Sequence, residues 1–165
     1  MDVHVGADER LIIEELADTG YEQVLEALLY IEYDLRIMHR NLLDMVSLQA
    51  HVGSCNAQTE MYTMSLLYQT RSGGLQDLSP RITTSLVESK SLLSRVTTLA
   101  ADTFTAALDV LDYCVDLNGF LDDAQLAQYY STQAELCYAK AKLLLSPIEW
   151  SHERLEYLSL VANRS

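Results

Sequence analysis

Apolar residues recur at alternating intervals of three and four along the first third of this chain. The row runs Tyr21, Val24, Leu28, Ile31, Leu35, Met38, Leu42 and Met45. An α-helix turns once in 3.6 residues, so this spacing keeps one stripe on one face over nearly four heptads. A helix patterned in this way is stable only when its stripe is covered by other helices. Leu25, Leu29, Leu43 and Val46 widen the stripe beyond a two-stranded seam, which favours a multi-helix bundle. They also supply more apolar surface than an internal core needs, and that excess is free to pack on another chain.

A second long row has the same spacing: Ile82, Leu86, Ser89, Leu93, Val96, Ala100, Thr103, Ala107, Val110, Cys114 and Leu117. Glycine and proline divide the rest. Gly73-Gly74 lies in a loop over 72–80. Ser79-Pro80 is an N-cap followed by proline at the first helical position. Asn118-Gly119 is a helix stop, Asp122 or Asp123 caps the next helix, and Ser146-Pro147-Ile148-Glu149 reads as a capping box. The predicted elements are a short amphipathic helix over 7–18 and long helices over 21–72, 81–118, 122–145 and 147–163. Past Met45 the first row meets Gln49, Val52, Asn56, Thr59 and Thr63, and Gly53-Ser54 in that stretch predicts a kink or break near 53–55, with a helix that runs through as the alternative. The expected fold is all-α: one domain over 1–165, an antiparallel bundle of three to five long helices with coiled-coil-like packing. The core is expected to hold Leu28, Ile31, Leu35, Leu42, Leu86, Leu93, Val96, Val110 and Cys114.

Charge narrows the function classes. Of 165 residues, 24 are acidic and 11 basic, for a net charge of −13. Nucleic-acid backbones and anionic membranes both require a basic footprint, so neither is expected as the partner. No apolar run approaches the roughly 20 residues of a membrane span. Three cysteines, Cys55, Cys114 and Cys137, are too few and odd in number for a disulfide framework. With no basic, apolar leader in MDVHVGADER, the expected location is cytoplasmic.

Residues that could carry chemistry are scattered. Glu14, Glu15, Asp18, Glu22 and Glu26 form an acidic string similar to the E-E-x-x-D clusters that hold magnesium in all-α nucleotide pyrophosphohydrolases, without a convincing second cluster. Glu149 and His152 have the E-x-x-H spacing of di-iron bundles, present once where two copies are needed. His51 and Cys55 share a helical face but supply two ligands, not the four of a structural zinc site. There is no Gly-rich phosphate loop and no nucleophile elbow. No catalytic residue, cofactor or metal ligand is assigned from sequence.

Two surface features remain. Asp102, Asp109 and Asp116 lie seven apart with Asp112 beside them, and no Lys or Arg occurs between Arg95 and Lys140. Such a stripe suits electrostatic docking of a basic partner. The chain also has ten tyrosines against two phenylalanines and one tryptophan; Tyr129 and Tyr130 lie on a predicted helix, where tyrosine suits half-buried contacts. Asp102, Asp109, Asp112, Asp116, Tyr129 and Tyr130 are therefore the candidate partner-binding residues. The function expected is that of a non-enzymatic scaffold or adaptor, a subunit that binds a helical or basic protein partner or a second copy of itself. The alternative is a metal-dependent all-α enzyme, pyrophosphohydrolase-like or a di-metal bundle, using helix carboxylates.

Overall fold

The computed structural model describes residues 21–72, 78–120 and 124–164. The predicted helix over 7–18 and the loop glycines at 73 and 74 lie outside them. Four helices follow one another: α1, Tyr21–Ser47; α2, Gln49–Ser72; α3, Ser79–Phe120; and α4, Ala124–Asn163. They pack as a helical bundle with no strand among the described residues.

α1 and α2 together form one rod, divided only at Leu48. The division has a local cause. The Ser47 hydroxyl donates to the Asp44 carbonyl at 2.6 Å, and the Leu48 N–H turns to Met45 at 3.1 Å, three residues back instead of four. Regular bonding resumes with the Val52 N–H on the Leu48 carbonyl at 3.0 Å. Of the two alternatives at Gly53, the helix runs through: Gly53 is helical and exposed. The helix start expected at Ser146-Pro147 is absent, because α4 runs through Pro147. Proline there removes the bond to the Leu143 carbonyl. Burial of Ala141, Ile148, Ser151 and Leu155 on either side holds the helix together across that loss.

Cross-rod contacts fix the topology. Tyr30 stacks on Tyr113 at 5.3 Å, and Tyr62 and Gln58 meet Ser85, so α3 runs antiparallel to the first rod. Phe104 packs on Tyr138, Ser89 meets His152, and Ser79 bonds Asn163, so α4 runs antiparallel to α3. The Ser79 hydroxyl thus ties the start of α3 to the end of α4.

Each rod turns a row of residues spaced by seven onto the bundle axis. The rows are Val24, Ile31, Met38, Met45, Val52, Thr59 and Leu66; Ile82, Ser89, Val96, Thr103, Val110 and Leu117; and Ala127, Ala134, Ala141, Ile148, Leu155 and Ala162. None of these residues is more than 8% exposed. A strict seven-residue row drifts about 20° per heptad on a straight helix, so rods that keep it over this length must supercoil left-handed. The register of the cross-rod pairs sets the large side chains of the first rod, Ile31, Met38 and Met45, against the alanines of α4. Ile148 and Leu155 of α4 fall level with the smaller Val52 and Thr59. Of the expected core, Ile31, Leu42, Val96, Val110 and Cys114 are buried; Leu28, Leu35, Leu86 and Leu93 are half-buried against it. The reason is geometric. With neighbours on two sides, the central row is shared and the rows flanking it on either side are each only partly covered.

Candidate interaction surface

The core is interrupted by one polar stratum. It separates an apolar cluster that ends at Val52, Val96 and Ile148 from a second around Tyr62, Ile82 and Leu155. Thr59 donates to the Cys55 carbonyl at 2.7 Å, Ser151 bonds the Asn56 side chain, and Ser85 reaches the Tyr62 hydroxyl at 3.3 Å. At its centre Ser89 Oγ lies 2.9 Å from His152 Nδ1, and His152 Nε2 lies 2.6 Å from Glu156. This is the order of a Ser–His–acid relay. However, Ser89 is 0% exposed on the bundle axis, and its Oγ also lies 2.9 Å from the Leu86 carbonyl. The contact satisfies the buried Ser89 hydroxyl and joins α3 to α4, with His152 leading out to the exposed Glu156. Nothing in the spacing of Ser89, His152 and Glu156 along the sequence announces this meeting, which depends on the antiparallel register. Glu149, the other half of the E-x-x-H spacing, is exposed.

Cys114 and Cys137 are buried and Cys55 is half-buried. Burial pushes Cys55, Cys114 and Cys137 above the ordinary thiol range, opposed at Cys137 by Lys140 and at Cys55 by hydrogen bonds from Ser151 and Thr59. His51 and Cys55 line a shallow groove between α2 and α3 with Glu88 and Arg95. Among the described residues no three His, Cys, Asp or Glu side chains converge as a metal site requires. The acids at 14, 15 and 18 lie outside those residues.

The outer surface is divided by chemistry. The first rod faces α3 through Tyr30, Gln58 and Tyr62, and faces α4 through Asn56. Asp102, Asp109, Asp112 and Asp116 are exposed on α3 along its groove with the first rod. There Asp34 feels Asp109: burial, and then the Asp109 carboxylate, raises its carboxyl above the ordinary range. Tyr113 is raised by burial and then by Asp34 and Asp109. The tyrosines are elsewhere. Tyr130 is half-buried against the core, raised by burial and then by the charge of Glu32. Tyr129 is exposed with its ring edge-on to Tyr130 at 5.4 Å. The first rod stands between the aspartates and the tyrosines, so the six candidate residues form two surfaces, not one.

On the α4 side of the first rod lies a second row, which begins with the Leu43 and Val46 that widen the first stripe. Leu43, Val46, Ala50, Gly53, Ala57, Glu60, Met64 and Leu67 follow at alternating intervals of three and four, all exposed. Leu43 is 70% exposed, and a Cβ built on Gly53 would meet nothing within 4 Å. The facing border of α4 carries Tyr129, Leu136, Leu143, Trp150 and Tyr157, spaced by seven and all exposed, Leu143 at 73%. Trp150 and Arg154 share a cleft with Glu60, Thr63 and Met64, which places both rows on one face. Water-facing helix surfaces are normally polar; here two adjacent rods each present a second apolar seam to solvent. The signal was present in the sequence as a second 3–4 repeat, hidden because Ala50, Gly53 and Ala57 read as a weak helix and not as an apolar stripe.

No family model, curated protein or solved structure matches the chain. No described helix is long and apolar enough to cross a membrane.

Proposed function

We propose that this chain is a non-enzymatic helical interaction module, a subunit or adaptor that docks protein through the face shared by α1, α2 and α4. The observation that carries this reading is the paired exposed seam, Leu43 to Leu67 on the first rod and Tyr129 to Tyr157 on α4. Water exposure of a largely apolar face this long, interrupted on the first rod by Glu60, is costly unless something covers it. The acidic side of α3, with Asp102, Asp109, Asp112 and Asp116, supplies a second contact surface suited to a basic segment of a partner. The contacts of buried Ser89 with His152, and the burial of Cys114 and Cys137, support a structural use of these polar residues.

The test is the size of the tagged protein in a fresh lysate of its own cells, wild type against a Leu43→Asp/Leu143→Asp variant. The wild type is expected to elute in a complex larger than its 18.6 kDa, and the variant as a free, fully helical monomer. A wild type that elutes as free monomer refutes the reading.

A further inference from the structure

We propose that the apolar face joins two copies of this chain. The inference rests on the docking role just assigned and names the occupant. Three features of the face point to a second copy.

The first is area. Aromatic side chains carry roughly 150–250 Å² each and aliphatic ones somewhat less, and the exposed fractions along the two seams leave on the order of 1,000 Å² of largely apolar surface open. The largest apolar patch of a typical monomer is about 300–600 Å², and a standard interface takes about 800 Å² from each partner. Moreover, the seams lie on neighbouring rods whose axes are about 8–10 Å apart. Covering both takes a surface two helices wide, which a single docked helix does not offer and a second copy of this face does.

The second is shape. The bond between Asn56 and Ser151 fixes the relative height of the two seams. At that height α4 presents a ridge, Leu143, Trp150 and Tyr157, and the first rod presents a furrow, Ala50, Gly53 and Ala57. A two-fold interface uses the same patch twice, so it must be complementary to itself. Ridge beside furrow at one level meets that condition: a two-fold rotation lays each copy's Trp150 ridge over the other's Gly53. The furrow is open, since a Cβ at Gly53 finds no neighbour.

The third is charge. Two chains of net charge −13 repel unless they meet where charge is balanced. Along this face stand Arg36, Lys140, Arg154 and Arg164 against Glu22, Glu32, Glu60 and Glu153, four bases to four acids. The aspartates of α3 are on the far side of the first rod and stay turned to solvent in both copies. The pair would then display two acidic surfaces, a bivalent arrangement for a basic partner.

The test uses the full chain and its single tryptophan, Trp150, which lies within the face. Mass by light scattering and Trp150 emission are followed from about 1 to 100 μM. The expected result is a concentration-dependent mass of twice 18.6 kDa with a blue shift of the emission as the dimer forms. Gly53→Glu and Leu143→Asp should each raise the dimer dissociation constant at least about 30-fold, as loss of a buried anchor does, with unchanged helicity. Leu108→Asp, at an exposed site on α3, should leave it unchanged. A monomer at 100 μM, or a dimer indifferent to both face variants, overturns the inference. Acrylamide quenching of the monomer then separates the two readings. A freely quenched Trp150 leaves the face open to a different protein, and only the second copy is wrong. A shielded Trp150 means the chain covers its own face, and the docking reading falls as well.

Discussion

Replacing Asn41 with leucine removes the one buried side-chain group that, among the described residues, has no hydrogen-bond partner. Asn41 is 5% exposed, and its Nδ2 meets no acceptor. It sits between Met38 and Met45, both fully buried, on the row that flanks the bundle axis. An unsatisfied buried amide costs about 1–3 kcal/mol. Leucine matches asparagine in heavy-atom branching and adds apolar burial in place of the amide. Its bulkier methyls spend part of that gain, since overpacking costs about 1–3 kcal/mol where a core cannot yield. The two methionines alongside are the side chains best able to yield. The net expectation is a stabilisation of about 1–2 kcal/mol, or a rise in Tm of roughly 3–6 °C for a chain of this size. Urea melts of wild type, Asn41→Leu and Asn41→Ala would measure it, with an unchanged slope showing that the fold is retained. Alanine, which removes the amide but leaves a void, should fall below leucine. A leucine variant no more stable than wild type would refute the reasoning, by showing either that the amide is satisfied in the folded protein or that the core does not yield to the methyls. Wild type keeps the asparagine at a stability cost that is consistent with a role in fixing helix register.

Four other outcomes follow from the packing. In the monomer, Gly53→Ala should stabilise the protein by about 0.5–1 kcal/mol, because the site is helical and a Cβ meets nothing there within the chain; thermal melts at a concentration where the chain is monomeric decide it. Ile31→Asp should cost several kcal/mol and abolish cooperative unfolding, since it places an unpaired carboxylate at a fully buried axial position. Ser89→Val and His152→Leu should each destabilise by about 1–2 kcal/mol, and the double variant should lose less than the two summed, a coupling read from a double-mutant cycle. Asp34→Asn should be more stable than wild type at pH 7. The raised carboxyl of Asp34 means the folded state holds its proton more firmly than the unfolded state, so wild-type stability falls as pH rises through the window above the ordinary 3.8. The advantage of the variant should disappear below that value, where both states are protonated; urea midpoints at pH 7 and pH 3 test the sign.

Much of the bundle was legible from spacing. Val24, Ile31, Met38 and Met45 on the first rod, and Ile82 through Leu117 on α3, face the axis as their seven-residue repeats require. Helix geometry is local, so residues that share a face are known once a helix is. Breaks were harder. Gly53 is a poor helix former, yet it is helical, whereas the hitch falls at Leu48, where a single serine hydroxyl competes for a backbone carbonyl. Pro147 looked like a helix start, yet the alignment of Ala141, Ile148 and Leu155 on one buried row carries the helix past it. In both places contacts from the neighbouring rods outweighed a local preference of a few kcal/mol at most.

Which surfaces matter was decided by tertiary structure. The sequence by itself determined a bundle of long helices, the residues that share each helical stripe, and an acidic row on the third helix. It did not determine which stripe of a two-sided helix is covered, because Val46 and Met45 carry the same spacing and differ only in what lies opposite. Nor did it reveal that Ser89, His152 and Glu156 meet, or that the aspartates and Tyr129 stand on opposite sides of one rod. Those relations join residues dozens of positions apart, and only the register between rods, set by pairs such as Tyr30–Tyr113 and Asn56–Ser151, brings them together or keeps them apart.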